Sequence, residues 1–257
     1  MTWALVLVVN ILVGACIGLT GIAGFLLPIF YVGVLGAAPV EALALAFAAF
    51  FVSGVLGTPA YHKTGDLPLR EAGLLCAGSF VGAVVGTRVG LVLPAAVLTC
   101  LLYLVVLCSG TSVLVRMRPK KGTGSSEGKR VAKPAWVYVA VGLVTAVICA
   151  ATGAGGPVLV VPILMLLGFA PRESVGMGLL DSVAIAVPSA IGYFAGGSIS
   201  AGVWGLVLPA LVGHAAGVLA GSRTAHLINQ NALKAIVAVG SVCVALYKLV
   251  PMVVGML

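Results

Sequence analysis

Two glycine-rich breaks, each set between apolar runs, are the parts of this 257-residue chain best suited to hold a ligand. The first reads Thr20-Gly21-Ile22-Ala23-Gly24 and is followed by Pro28. The second reads Thr152-Gly153-Ala154-Gly155-Gly156-Pro157 and is followed by Pro162. A break of this kind ends one helix and starts another, leaving main-chain N–H groups without partners. In hydrocarbon such groups must be satisfied or line a cavity, and a helix N-terminus carries partial positive charge. Glycine lets the backbone approach a ligand, and the two threonines can add hydroxyl donors. Together these features suit a small anion. The bland reading is that the glycines only permit tight helix crossing. Their recurrence beside prolines in both halves favours a binding site.

The ionisable residues are few. Asp181 lies in the middle of the apolar run SVGMGLLDSVAIAVPSAIGYF, where a charge costs several kcal/mol on insertion scales. It is expected to face a cavity, pair with a cation, carry a coupling proton or bond neighbouring helix ends. Arg88 and Arg223 close two GxxxG segments, where they either snorkel to the interface or attract anions toward the site. His62 stands in a polar turn and reads as a solvated loop residue. Cys16, Cys76, Cys100, Cys108, Cys149 and Cys243 all fall inside apolar runs, with no CxxC pair. They read as small packing residues. Cys16 and Cys149 precede the two breaks at similar spacings.

The elements that must position these residues are membrane helices. The chain is 61% hydrophobic and 8% charged, with mean hydropathy +1.25, whereas a soluble domain carries about 25% charged residues. Apolar runs of about 18 or more residues read as spans. The 35 glycines suit close helix approach in lipid. The N-terminus reads as a first span rather than a cleaved leader. Of the 14 basic residues, 7 lie between Arg116 and Lys133, in a Gly/Ser-rich stretch that reads as a solvated linker. The positive-inside rule makes that linker cytoplasmic, so the net charge of +8 does not point to nucleic acid.

The halves on either side of the linker repeat one another. Gly36 pairs with Gly168, Pro39-Val40-Glu41 with Pro171-Arg172-Glu173, Tyr61 and Gly65 with Tyr193 and Gly197, and Gly82-xxx-Gly86-Thr87-Arg88 with Gly217-xxx-Gly221-Ser222-Arg223. The expected organisation is a first repeat over 1–115, a linker over 116–134 and a second repeat over 135–257. Apolar segments run over about 3–20, 22–37, 40–60, 68–90 and 94–115, then about 135–152, 156–170, 174–194, 202–222 and 232–250. The second segment of each half is short. If it crosses the membrane, each half has five spans and the halves are inverted; if it re-enters, each has four and they are parallel. Placing Arg172 and Arg223 inside favours crossing, with Arg88 dissenting either way. The expected fold is therefore an all-α polytopic membrane protein of two homologous repeats, with 8–10 membrane segments, inverted, and with Gly/Pro-broken helices at the centre.

The segments GLTGIAGFLLPIFYVGVLGAAPVEA and ATGAGGPVLVVPILMLLGFAPRES resemble the paired signature of the TauE/SafE sulfite-exporter family, and the YHKTGD turn and the GxxxG(T/S)R segments add to the likeness. The resemblance implies transport of a sulfur-containing anion such as sulfite, thiosulfate or a sulfonate. Ala23 and Phe25 stand where that pattern has small residues, so the two half-sites are expected to differ. Substrate contacts are expected from Thr20, Gly21, Gly24, Pro28, Thr152, Gly153, Gly155, Gly156, Pro157 and Pro162, with coupling or gating from Asp181, Arg88 and Arg223. The chain shows no Ser/His/Asp grouping, metal motif, nucleotide fingerprint or P-loop. The reading is thus a secondary transporter of the inner membrane, not an enzyme, with no cofactor or metal. Its partners are the anion and the bilayer, with room for a proton or other coupling ion and for a homodimer. An anion channel, or a permease for another small anion or carboxylate, is the alternative.

Overall fold

The computed structural model describes residues 2–20, 23–117, 133–196 and 198–224, with a few positions between 239 and 249. The described residues are helical: α1 (Thr2–Thr20), a 3-10 turn (Ala23–Phe25), α2 (Leu26–Gly33), α3 (Pro39–Lys63), α4 (Leu69–Val92), α5 (Ala95–Met117), α6 (Ala135–Thr152), α7 (Gly156–Leu166), α8 (Pro171–Gly196) and α9 (Ala201–Thr224). Six of them, α1, α3, α4, α6, α8 and α9, are long and apolar enough to cross a membrane. This is an all-α polytopic membrane protein. The basic linker, Gly21, Gly197 and most of the last apolar segment lie outside the described residues.

The repeat is visible in how the elements end. After α2 the chain turns at Gly36 with φ +66°, and after α7 at Gly168 with φ +95°. Both are left-handed conformations that glycine adopts without Cβ strain. Pro39 and Pro171 then open α3 and α8, where proline's missing N–H is harmless. Glu41 accepts the Ala38 N–H at 3.2 Å, and Glu173 accepts the Ala170 N–H at 3.0 Å. The turn, proline and carboxylate recur together, so the duplicated tripeptide is a helix-start device. It also makes α2 and α7 shorter than the apolar runs that contain them. At 11 residues α7 is about 16 Å long, roughly half the hydrocarbon thickness.

The halves are interlocked rather than side by side. On α4, Gly78, Gly82 and Gly86 face the main chain of Val139, Leu143 and Val147 on α6. On α9, Gly213, Gly217 and Gly221 face Leu7, Ile11 and Ala15 on α1. A Cβ at any of these six would collide with a carbonyl, which explains the GxxxG spacing: backbones this close gain packing that hydrophobicity cannot supply in lipid. The numbers rise together in both pairs, so α4 runs with α6 and α1 with α9. Gly192 lies against Thr87 and Gly196 against Leu91, so α4 runs with α8, and Thr87 donates to Ser189 at 3.0 Å. Ser53–His214 and Glu41–Ser200 set α3 running with α9. By contrast α3 and α8 are antiparallel: Gly57 lies against Leu179, and Phe47 stacks on Tyr193 with centroids 5.9 Å apart. Hence α1, α3 and α9 point one way and α4, α6 and α8 the other. Because α1 and α3 share a direction, the chain between them has to return to the end from which α1 started. The same holds between α6 and α8.

Candidate functional site

The two glycine breaks meet at the centre. Gly24 in the 3-10 turn and Gly155 before α7 lie next to each other against the Phe50 ring: a Cβ built on Gly155 would sit 3.5 Å from that ring and 3.7 Å from the Gly24 Cα. A small cavity of about 10 Å³ opens there, room for about one water molecule. Besides Gly24, Gly155 and Phe50, it is lined by Ile17, Ser53, Pro157 and Ser182. Elements from both repeats therefore contribute.

The halves reach this point by different backbone routes. The first break resolves into a 3-10 turn ending at Phe25, which is buried. The second uses two left-handed glycines: Gly153, φ +73°, terminates α6 with its N–H on the Cys149 carbonyl, and Gly155, φ +78°, precedes α7. Cys149 is buried and its thiol donates to the Gly155 carbonyl at 3.4 Å, which helps to fix the break. Pro157 brings no N–H, so Gly155 and Gly156 hold the main-chain donors that open α7.

The other expected contacts divide. Gly156 faces α8, where a Cβ would lie 3.2–3.3 Å from Ile185 and Ser182. Pro28 and Thr152 line a second cavity with Leu43, Leu98 and Leu102, and the Thr152 hydroxyl is spent on the Ile148 carbonyl at 2.7 Å. A Cβ on Gly153 would press on Leu43 and Pro28. Pro162 is half-buried inside α7 and is not part of the central lining. The Thr20 side chain and Gly21 lie outside the described residues. Arg88 and Arg223 are exposed, on helices that run in opposite directions, and neither lines the cavity.

Asp181 is fully buried, and neither carboxylate oxygen has a hydrogen-bond partner. It precedes the cavity-lining Ser182 but points toward α4 and α6, near Ser79, Cys76 and Cys149. The Ser79 hydroxyl is likewise unpartnered. A carboxyl inside a membrane span is costly to keep charged, so a residue buried there is a functional candidate.

A second buried polar group escapes a reading of the sequence. His214 on α9 is fully buried, and its Nε2 lies 2.5 Å from the Ser53 hydroxyl on α3. Beside it Asn10 on α1 donates to Tyr31 of α2 at 2.9 Å. The available signal was a lone histidine inside an apolar run, and its register: if Gly217 matches Gly82, His214 stands where Ser79 stands in the first half. Among the described residues no cluster of His, Cys, Asp and Glu could hold a metal ion, and none of the six cysteines is in a disulfide.

A family model described as "Sulfite exporter TauE/SafE" matches residues 5–248. A protein of Bacillus subtilis (strain 168) named "Probable membrane transporter protein YdhB" is 24% identical over 233 residues, covering 90% of this chain and 93% of that relative. No solved structure gives a significant match.

Proposed function

This chain belongs to the sulfite exporter TauE/SafE family, and from that premise we propose that it is a secondary transporter moving a small sulfur-containing anion, such as sulfite, thiosulfate or a sulfonate, across the inner membrane. The carrying observation is the convergence of Gly24 and Gly155 on one cavity lined from both repeats. Broken helices meeting at the middle of duplicated halves are the usual place for a transport site. Main-chain N–H groups and the Ser53 hydroxyl suit an anion, and Ile17, Phe50 and Pro157 give the cavity apolar walls.

The two repeats are inverted in this reading, with the basic linker cytoplasmic and the stretch around Gly197 on the opposite side. The opposed directions of α1 and α6, α3 and α8, and α4 and α9 support it. Asp181 carries a coupling proton between the two sides of the membrane. Its burial without a partner supports that role.

The test is flux of labelled sulfite, thiosulfate and sulfoacetate in proteoliposomes, with and without a proton gradient. Uptake of at least one of them, accelerated by the gradient, is expected. Absence of flux for all three, in protein shown to be folded and reconstituted, would remove the proposed substrate class.

A further inference from the structure

We infer that His214 and Ser53 form a proton-accepting arm of the central cavity, which supplies the counter-charge that a bound anion needs. The inference rests on the small-anion reading above. Among the described residues none that lines the cavity is cationic, and an anion taken out of water without a counter-charge is costly. Of the two lining hydroxyls, Ser182 already donates to the Gly178 carbonyl of its own helix at 2.9 Å. Ser53 has only a long 3.4 Å contact with the Ala49 carbonyl and lies 2.5 Å from Nε2 of His214. That link ties an imidazole 0% exposed to a hydroxyl that faces the cavity.

The other ring nitrogen, Nδ1, has no hydrogen-bond partner, with the main chain of Asn10 close by. With the ring hydrogen on Nδ1, Nε2 accepts from the Ser53 hydroxyl and is the position that can take a further proton. The helices packed along α9 are α1 and α3. From α1 the polar neighbours are Asn10, which is bonded to Tyr31 of α2, and the half-buried Cys16. The ionisable groups of α3 are at its two ends: Glu41, held by the Ser200 N–H at 2.9 Å, and Tyr61, His62 and Lys63 at the finish. On α9 itself, Arg223 is exposed in the last turn.

With the cavity empty, an imidazolium here is an unpaired buried charge. With an anion present, the ring takes up one proton and both its nitrogens become donors. The Nε2–H then donates to the Ser53 oxygen, and the Ser53 hydroxyl turns to donate to the anion. One proton enters with the anion and offsets one of its negative charges, and no other bond is made or broken.

Thiosulfate is the probe, because it does not itself titrate near neutral pH. Calorimetric titration of the purified full chain at pH 7.5, in two buffers of different ionisation enthalpy, reads the protons taken up per anion bound. His214→Gln is expected to take up one proton fewer than the wild type. It should also bind roughly tenfold more weakly or worse, the worth of a charged hydrogen bond. Ser53→Ala should weaken binding in the same direction. The second readout needs no change at the site: a chain with His62→Gln and His226→Gln, labelled with ring-nitrogen-15 histidine, should move its remaining ring signals to the imidazolium position on adding thiosulfate. Unchanged ring signals with thiosulfate bound, or equal proton uptake by a monodisperse His214→Gln, overturn the inference and leave the transporter reading standing. A wild type that binds neither thiosulfate nor sulfite takes both down.

Discussion

Gly24→Ala places a methyl group 3.1 Å from the Phe50 ring, at the point where the breaks meet. Its backbone is not left-handed, so the expected result is loss of thiosulfate binding with stability changed by less than about 1 kcal/mol. Gly155→Ala carries the φ penalty as well and should cost about 1 kcal/mol or more of stability. Gly156→Ala presses on Ser182 and Ile185 instead, so it should lower the melting temperature while binding survives. Gly73→Ala, whose Cβ meets nothing within 4 Å, is the control. Thermal unfolding and thiosulfate titration of the four proteins check this set. Asp181→Asn removes an unpaired buried carboxylate and should fold at least as well as the wild type. It should lose gradient-driven uptake while keeping exchange; an unchanged response to the gradient would make Asp181 a structural residue. The glycine clusters were legible because they recur, but adjacent glycines look alike in a sequence. Only backbone direction separates Gly155, which faces the cavity, from Gly156, which faces α8. Ser53 and His214 were not legible as a pair, since 161 residues separate them and neither forms part of a motif.

The elements show which parts of the pattern are packing and which are closure. Glycine stripes on α4 and α9 lock each repeat onto the first helix of the other. Gly217→Ala would drive a methyl into the Ile11 carbonyl, and overpacking of that kind costs about 1–3 kcal/mol. Gly202→Ala, in open space on the same helix, should cost a few tenths at most. Thermal unfolding in detergent compares them directly. The spacing of the stripes was readable as GxxxG, and so was their repetition; the identity of the partner helix was not, because both stripes pack across the repeat boundary. Outside the spans, Asp66 accepts from Thr64 at 2.6 Å and from Arg172 at 2.9 Å. The Thr64 hydroxyl first, and then the Arg172 guanidinium, hold its carboxyl below the usual range against the opposing effect of desolvation. A depressed carboxylate stabilises the fold above its unfolded pKa of about 3.9 and loses that contribution as pH falls through the folded value. The pair is largely exposed, so Asp66→Asn should cost no more than about 1 kcal/mol. That cost should be flat from pH 5 to 8 and vanish in acid, as measured by melting temperature against pH.

At the scale of the whole molecule, the account is one of two interlocked repeats whose broken helices meet at a shared cavity. The repeat and the shortness of the second segment in each half were readable from glycine, proline and glutamate at matching positions. Whether that segment crosses was not, because length permits both answers, and the matched charges gave mixed testimony through Arg88. The contacts between α1 and α9 and between α4 and α6 fix running directions that no local sequence could. Single cysteines in a cysteine-free background, at 125 in the linker and at 197, should label from opposite sides of the membrane. Labelling from one side would restore parallel four-span halves. If an anion passes where Gly24 and Gly155 meet, uptake of labelled thiosulfate into proteoliposomes carrying wild type, Gly24→Ala or Gly73→Ala at equal density will show it. Uptake is expected from the wild type and from Gly73→Ala, with little or none from a monodisperse Gly24→Ala; equal uptake by all three would place the path elsewhere.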